Sequence, residues 1–478
     1  MALTQAAERA ALNKLIDYLD ENPEEHLDSI MALIDRLVPA SVFPAQRAAF
    51  SHVIKDRSNW YDLIMKVFDL NPEMRSRLLK TLIVDGNILA WPEQEKARER
   101  YECNIPWAIL LDPTSACNLR CTGCWAAEYG HALNLSYEDI DSIVRQGKEL
   151  GCRIYIYTGG EPLVRKGDLI RICEAHPDCA FLCFTNATLI DEAFCDEMIR
   201  VANFVPAISA EGNEATTDAR RGEGTYAKIE HAMDLLRERR LPFGISCCWT
   251  RANADAVATE ENIDWMIDKG ALFCWYFHYM PVGSAAGSEL IPTPEQREKM
   301  YRFVRTMRER KPLFTLDFQN DGEYVGGCIA GGRRYLHINA AGDVEPCVFI
   351  HYSNANIHEV SLLDALRSPL FMAYHDGQPF NSNHLMPCPM LENPDILPEL
   401  VAQTGAHPTD LIEPETPEQL RDKTAPAARA WKPVAERLWN NENDPMHDKR
   451  MNDPTQGMAG SDMSKFERLG KKGYGDHA

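Results

Sequence analysis

The spacing of apolar residues predicts that the first hundred residues are helical. Leu12, Leu15, Ile16 and Leu19 share one face of a helix with a period of 3.6 residues. Pairs such as Asn22-Pro23 separate the segments, as is typical of helix boundaries. The pattern predicts a helical N-terminal region, residues 1–100, that packs as a cap on the next domain. The alternative is that its apolar surface meets a substrate or a membrane.

From residue 101 to residue 290, short apolar runs alternate with amphipathic stretches. The runs that predict buried strands include Ala108, Tyr155, Phe181, Val205, Gly244 and Phe273. Six such units predict an α/β fold, a partial (β/α)6 TIM-like barrel. The last run is rich in aromatic residues, and Trp275, Phe277 and Tyr279 share one face of it. That face either packs the barrel interior or lines an apolar substrate chamber.

The rest of the chain predicts a smaller domain over residues 311–395 and an extension over residues 396–478. A helix is expected over residues 293–310, with Pro294 at its first position. Two short strands around Ala341-Gly342-Asp343 indicate a hairpin. The extension is predicted to be helical over residues 426–439 and disordered from about residue 445, where it becomes polar and rich in glycine.

Composition limits the classes of partner. The formal net charge is -21 and the sequence pI is about 5.1, which argues against binding to nucleic acid. No apolar run reaches the roughly 20 residues that span a bilayer. The first residues do not resemble a signal peptide. A cytoplasmic location, where thiols stay reduced, is therefore expected.

Three cysteines in one loop carry the main chemical signal. Cys117, Cys121 and Cys124 have the spacing C-x3-C-x2-C directly after the first predicted strand. Three thiolates can ligate three irons of one [4Fe-4S] cube, which leaves the fourth iron open to a small molecule. A zinc site normally needs a fourth ligand at short spacing, and an odd total of fifteen cysteines does not suggest a disulfide framework. The sequence predicts an iron–sulfur loop where α/β barrels place their chemistry.

The cysteine loop and the string Thr158-Gly159-Gly160-Glu161-Pro162 after the second strand together resemble the radical S-adenosylmethionine (radical SAM) enzymes. The resemblance implies a [4Fe-4S] cluster on the three cysteines whose open iron binds S-adenosylmethionine. It implies reductive cleavage of that cofactor to a 5′-deoxyadenosyl radical, which abstracts a hydrogen atom from the substrate. It also implies an electron donor of the reduced ferredoxin or flavodoxin type.

Motifs after later strands resemble the cofactor-binding positions of the same family. The resemblance implies S-adenosylmethionine contacts at Gly159, Gly160, Glu161, Pro162, Asn186, Ser209, Glu211 and Arg221. Glu161 and the backbone of the glycines would hold the ammonium group of the methionine moiety. Ser209 and Glu211 would contact the ribose.

A second cysteine set, Cys328, Cys347 and Cys388, resembles the start of the SPASM or twitch domains that follow many radical SAM barrels. It implies one auxiliary [4Fe-4S] cluster. A full SPASM domain carries more cysteines, so the fourth iron would be open, or bound by a non-thiolate group or by a cysteine such as Cys103 or Cys274. The alternative is three structural thiols. The remaining cysteines, including Cys247 and Cys248, are expected in the packed core.

The substrate class is predicted from composition. The aromatic sixth strand and the apolar helices favour a lipid or another hydrophobic chain, met at a membrane surface, for C–H activation or C–C coupling. The first alternative is a peptide, because SPASM-type relatives modify ribosomal peptides. The second is an iron–sulfur protein that only transfers electrons, although such a protein has no need of the GGEP string.

Overall fold

The computed structural model describes residues 5–40, 42–283 and 286–441. The segment predicted to be disordered from about residue 445 lies outside the described residues. Among the helices that are described, each is too short or too polar to cross a lipid bilayer.

The chain begins with a bundle of helices, as predicted. Pro23, Pro44 and Pro72 each occupy the first turn of a helix, where the missing amide hydrogen is not needed. The bundle has apolar clusters of its own, in which Leu12 and Ile16 are buried. Its members are α1 (Gln5–Glu21), α2 (Pro23–Leu37), α3 (Pro44–Asp56), α4 (Asn59–Phe68), α5 (Pro72–Leu78), a π-helical segment (Leu79–Leu89) and α6 (Ala90–Tyr101).

Six parallel strands form the centre of the main sheet, in sequence order. They are β1 (Ala108–Leu111), β2 (Ile154–Tyr157), β3 (Ala180–Thr185), β4 (Phe204–Ser209), β5 (Gly244–Trp249) and β6 (Phe273–His278). The helices between them are α7 (Tyr137–Glu149), α8 (Lys166–Ala175), α9 (Glu192–Val201), α10 (Glu214–Arg221), α11 (Thr225–Glu238), α12 (Ala254–Val257) and α13 (Glu260–Lys269). This is the predicted (β/α)6 arrangement, because each parallel connection needs a crossover.

Alternation along the strands separates two apolar layers. Ala108 and Leu110 of β1 join an inner cluster with Ile156 of β2. Ile109 and Leu111 pack instead in the larger outer cluster, against the helices. One face of each strand is thus turned to the inside of the curved sheet, because side chains alternate with a period of two.

The C-terminal part contributes further strands to the same sheet. Its elements are α14 (Pro294–Arg310), β7 (Phe314–Asp317), α15 (Gly322–Val325), β8 (Tyr335–Ile338), β9 (Val344–Glu345), β10 (Tyr352–Ser353), α16 (Leu362–Leu366), α17 (Pro369–Gly377), α18 (Ile396–Thr404), β11 (His407–Pro408) and α19 (Pro417–Asn440). Within the described residues, the main sheet has the order β7-β6-β5-β4-β3-β2-β1-β8-β9. Strand β8 runs parallel to β1, and Ala108 pairs with Tyr335.

Two features differ from the sequence-based expectation. Strands β8 and β9 form the predicted hairpin, in which Ile338 pairs with Val344, but the hairpin extends the barrel sheet instead of standing apart from it. The helix expected over residues 426–439 is only the later part of α19. A capping box at Thr416 begins that helix, and it continues through Pro426 and Pro433.

Candidate active site

A cavity of about 230 Å³ lies inside the curved sheet. Its lining includes all three cysteines of the predicted iron–sulfur loop, Cys117, Cys121 and Cys124. The lining also includes most of the predicted cofactor-binding residues, namely Gly159, Gly160, Glu161, Asn186, Ser209 and Arg221. The fold therefore gathers motifs from four strands around one space.

The cysteine loop is shaped by its contacts with neighbouring loops. Thr122 donates its amide hydrogen to the carbonyl of Arg220 at 2.9 Å. Gly123 has a φ of +66°, and a Cβ atom there would lie 2.5 Å from the ring of Tyr279, so only glycine fits. A short 3₁₀ helix, Trp125–Tyr129, ends the loop. The three thiols are free of disulfides and partly exposed, so they remain available as ligands.

The electrostatic setting of these thiols fits a metal–sulfur centre. Burial raises the pKa of Cys117 to about 11. Burial also raises the pKa of Cys121, although the charges of Arg221 and Arg220 oppose this. Among the described residues, no group of His, Cys, Asp or Glu side chains is placed to hold a single metal ion. Thiolates in this position need a positively charged centre to bind. A [4Fe-4S] cube is wider than a single metal ion, so the three cysteines fit an iron–sulfur cluster.

The turn after β2 is tied to the cysteine loop through the backbone. Gly160 donates its amide hydrogen to the carbonyl of Thr114 at 3.0 Å, and Glu161 donates to the carbonyl of Ala116 at 2.8 Å. A Cβ atom on Gly160 would lie 2.2 Å from the carbonyl oxygen of Ala116. Gly159 has a φ of +99°, and a Cβ atom there would lie 2.7 Å from the side chain of Asp112. Both glycines are therefore required for this close approach.

Glu161 is held rigidly at the edge of the cavity. Its carboxylate accepts hydrogen bonds from the hydroxyl of Thr185 at 2.6 Å and from the amides of Asn186 and Leu163 at 2.7 and 3.0 Å. Burial raises the pKa of Glu161, and these hydrogen bonds oppose the rise. The carboxylate is thus preorganised before any ligand enters.

We expect Gly160→Ala to weaken S-adenosylmethionine binding by at least about tenfold, because the added methyl group must push the GGEP turn away from the cysteine loop. Gly167→Ala is the matched control, since a Cβ atom at Gly167 meets nothing within 4 Å. Equilibrium binding of the cofactor to both variants, prepared anaerobically with their iron content checked, gives the comparison. Equal affinities would contradict the assigned role of Gly160.

Two predicted cofactor residues lie away from the cavity surface. In the described structure, Pro162 and Glu211 are not among the residues that line it. Glu211 is 0% exposed, and its carboxylate is paired with Arg221 at 2.6 Å and with Arg220 at 2.9 Å. Burial raises the pKa of Glu211, but the charges of the two arginines lower it more, so the net shift is downward. A ribose contact from Glu211 stays a prediction. Of its two arginine partners, Arg221 also reaches the cysteine loop, because its Nη1 lies 3.8 Å from the sulfur of Cys121.

The far wall of the cavity is aromatic. Trp275, Phe277 and Tyr279 all line it, as the alternation along the sixth run predicted. Phe184 packs against Trp275 and Phe277, with ring centroids 5.3 and 5.6 Å apart. Cys247 is buried in the outer core, but the expectation for Cys248 was wrong, because Cys248 faces inward by alternation on β5 and lines the cavity.

The second cysteine set also comes together. Cys328, Cys347 and Cys388 lie close enough for their charges to act on one another, and burial raises the pKa of Cys347 to about 12. The hydroxyl of Tyr335 lies 2.7 Å from the sulfur of Cys347. Burial and the charges of all three thiols raise the pKa of Tyr374, and its buried hydroxyl has no hydrogen-bond partner among the described residues.

The two cysteines considered as a fourth ligand have other surroundings. Arg367 and Arg98 are the charged neighbours that act on Cys103. Cys274 lies on β6 beside Tyr276, in the outer core. Neither thiol is grouped with the second cysteine set.

Sequence reasoning missed a buried ionic group beside the cysteine loop. Nε2 of His337 lies 2.9 Å from Asp112, and its Nδ1 lies 2.6 Å from Glu345. Burial lowers the pKa of His337, but the charges of the two carboxylates raise it by more, so that the net pKa is about 10. Tyr129 donates to Glu345, and the ring of Trp125 packs edge-on against His337 at 5.6 Å. The group therefore joins the cysteine loop to β1 and to the β8–β9 hairpin.

Comparison with known proteins agrees with this geometry. The sequence matches the radical SAM superfamily over residues 111–255, a range that includes the cysteine loop, the GGEP turn and strands β2 to β5. Residues 111–255 therefore form a radical SAM domain. As in other radical SAM enzymes, its cofactors are a [4Fe-4S] cluster and S-adenosylmethionine.

Individual relatives of this radical SAM enzyme are distant. The AdoMet-dependent heme synthase of Methanosarcina barkeri is 22% identical over 54% of this chain and 80% of the relative. The PqqA peptide cyclase of Rhodopseudomonas palustris is 28% identical over 51% of this chain and 64% of the relative. The crystal structure of Streptococcus suis SuiB bound to S-adenosylmethionine aligns with a TM-score of 0.48 and 18% identity, over 57% of this chain and 68% of SuiB.

Proposed function

We propose that this radical SAM enzyme removes a hydrogen atom from an apolar group of its substrate inside the cavity of the barrel. One observation carries the proposal: a single cavity joins the three loop cysteines and the GGEP turn to an aromatic wall. Unactivated C–H bonds offer no polar handle, so a substrate must be positioned by shape and burial.

The residues of the chain have distinct parts in this proposal. Cys117, Cys121 and Cys124 would hold the cluster, and the turn at Gly160 and Glu161 would bind the methionine end of the cofactor. When bound, the two cofactors together supply a carbon radical that can break an unactivated C–H bond. The rigid hydrogen bonds of Glu161 keep the cofactor site preorganised.

The aromatic wall supports the choice of an apolar reacting group. Phe184, Trp275 and Phe277 pack on one another, so they present a continuous apolar surface to the cavity. A dry apolar chamber excludes water and competing hydrogen donors from a reactive species. A long aliphatic chain fits such a wall, which is why a lipid or another hydrophobic chain is the first candidate.

A peptide is the second candidate, and the relatives favour it. The PqqA peptide cyclase is named for a peptide substrate and is 28% identical over about half of this chain. An apolar side chain of a peptide meets the same physical requirement as an aliphatic chain. Other relatives are named for haem synthesis and for GTP cyclisation, so sequence similarity alone does not identify the substrate.

The second cysteine set supports an auxiliary cluster as a further part of the proposal. Cys328 precedes the β8–β9 hairpin, whereas Cys347 and Cys388 follow it, and the three thiols lie close enough for their charges to act on one another. Because Cys103 and Cys274 lie elsewhere, a fourth ligand would be a non-thiolate group, or the fourth iron would stay open.

The proposal also includes a division of the chain into domains. These are a helical region over 1–100, the barrel over 101–290, the auxiliary domain over 311–395 and the extension over 396–478. A reduced ferredoxin or flavodoxin would donate the electron.

The test compares cells that express the protein anaerobically with cells that express Cys121→Ala. Total lipids and small peptides are profiled by mass spectrometry. We expect altered acyl chains, or altered peptides, that appear only with the intact cysteine loop. Changed lipids select the first candidate and changed peptides the second. Unchanged profiles of both, from a protein that cleaves S-adenosylmethionine, would contradict the proposed apolar substrate.

A further inference from the structure

The cavity reaches from one end of the barrel strands to the other. The cysteine loop lines it beyond the C-terminal end of β1. Trp107 and Arg334 line it at the opposite end, because they directly precede β1 and β8. The amides of Trp107 and Ala108 both donate to the carbonyl of Arg334, at 2.7 and 2.9 Å, and fix it at this floor. Four residues of β-strand separate the two ends, a distance of roughly 13 Å.

Arg334 is a cation without an anionic partner at this floor. Among the described residues, its guanidinium forms no side-chain hydrogen bond or ion pair, and its Nη1 atom is buried without a partner. The guanidinium carbon lies 4.8 Å from the centroid of the Trp91 ring on α6. A cation that gives up water without gaining an acceptor is costly, so proteins seldom keep one without a use.

The charges around Arg334 increase that cost. Arg98 and Arg333 are the neighbouring cations, and Glu95 is the neighbouring acid. Glu95 is itself bonded to Arg98, which also donates to the carbonyl of Ile105. Burial and the two neighbouring arginines lower the pKa of Arg334 to about 9. The floor of the cavity is therefore electropositive and suited to an incoming anion.

We propose that Arg334 binds an anionic group, a carboxylate or a phosphate, at the end of an elongated apolar substrate whose other part reaches the cysteine loop. The inference rests on the proposed function, because it takes this cavity as the substrate chamber. It adds a substrate class: an amphipathic anion rather than a neutral hydrocarbon. Arginine suits both oxyanions, since its planar fork matches the geometry of each.

The test measures binding of defined probes to the full chain, reconstituted anaerobically, by isothermal titration. The probes are decanoate, decyl phosphate and 1-decanol, together with N-acetyl-Leu-Phe in its free-acid and amide forms. We expect the wild-type protein to prefer an anionic probe over its neutral counterpart by about tenfold, as one charge-assisted contact provides. A preference confined to decanoate or decyl phosphate indicates a lipid source, and one confined to the free-acid peptide indicates a peptide source.

Variants assign the preference to Arg334. Arg334→Gln should abolish it, Arg334→Lys should retain part of it, and the exposed Arg145→Gln should leave it intact. The inference would be overturned if the wild type preferred no anionic probe over its neutral counterpart, if Arg334→Gln kept the preference, or if no anionic probe bound. The wild-type comparison and Arg334→Lys remain decisive if Arg334→Gln does not fold. Binding is scored separately from S-adenosylmethionine cleavage, so this inference can fail while the proposed function stands.

Discussion

Replacing Cys117, Cys121 or Cys124 by alanine should remove one four-iron cluster and abolish cleavage of S-adenosylmethionine. The three thiols lie on one short loop at the cavity, and burial raises the pKa of Cys117 and Cys121. A site that has lost one of three protein ligands has no neighbouring thiolate on the same loop to replace it. The loss should therefore be complete rather than graded.

Anaerobic iron analysis and an assay for 5′-deoxyadenosine measure the two effects. Cys195→Ala is the matched control, because Cys195 is a buried thiol of the outer core. The control should keep full iron content and cofactor cleavage. Deoxyadenosine formation at the wild-type rate by the triple variant of the loop would refute the assignment.

The triple alanine variant of Cys328, Cys347 and Cys388 should lower the iron content by about four per chain, the content of one cube. Cleavage of S-adenosylmethionine should persist, because the loop cysteines and the GGEP turn are untouched. Turnover of the substrate should fail, since Val348 and Phe349, next to Cys347, line the cavity that would hold it.

The same assays separate a cluster from structural thiols. A triple alanine variant of Cys173, Cys179 and Cys195 removes as many buried thiols from the outer core and controls for general loss of stability. Iron content equal to that of the wild type in the first variant would mean that the second cysteine set is structural.

Much of the barrel could be predicted because its signals are local. A strand and its crossover helix each carry a period that can be read within a short window, as in the run ending at Leu111. The cysteine loop is equally local, since its three ligands lie within eight residues of chain from Cys117 to Cys124. The capping box of α7, in which Ser136 and Asp139 bond reciprocally, is a local signal of the same kind.

The features that sequence reasoning missed depend on distant pairing. His337 meets Asp112 across 225 positions of chain, so no window contains both. Only the presence of a histidine inside an apolar strand hinted at a partner. Cys247 and Cys248 are neighbours on one strand, so their side chains point to opposite faces of the sheet. The position of the cavity decides which of the two thiols lines it. The electropositive floor at Arg334 likewise arises from segments far apart in sequence.

The pairing of β1 with β8 has a consequence for synthesis on the ribosome. Residues 108–111 leave the ribosome long before residues 335–338, their partners on that edge. Until then the first strand of the nascent barrel has one open edge of unpaired amides and carbonyls, which is the kind of edge that joins to other chains. Contacts of such long sequence separation also slow folding. The nascent chain should therefore be most vulnerable to aggregation, and most dependent on chaperones, during translation of the segment between β6 and β8.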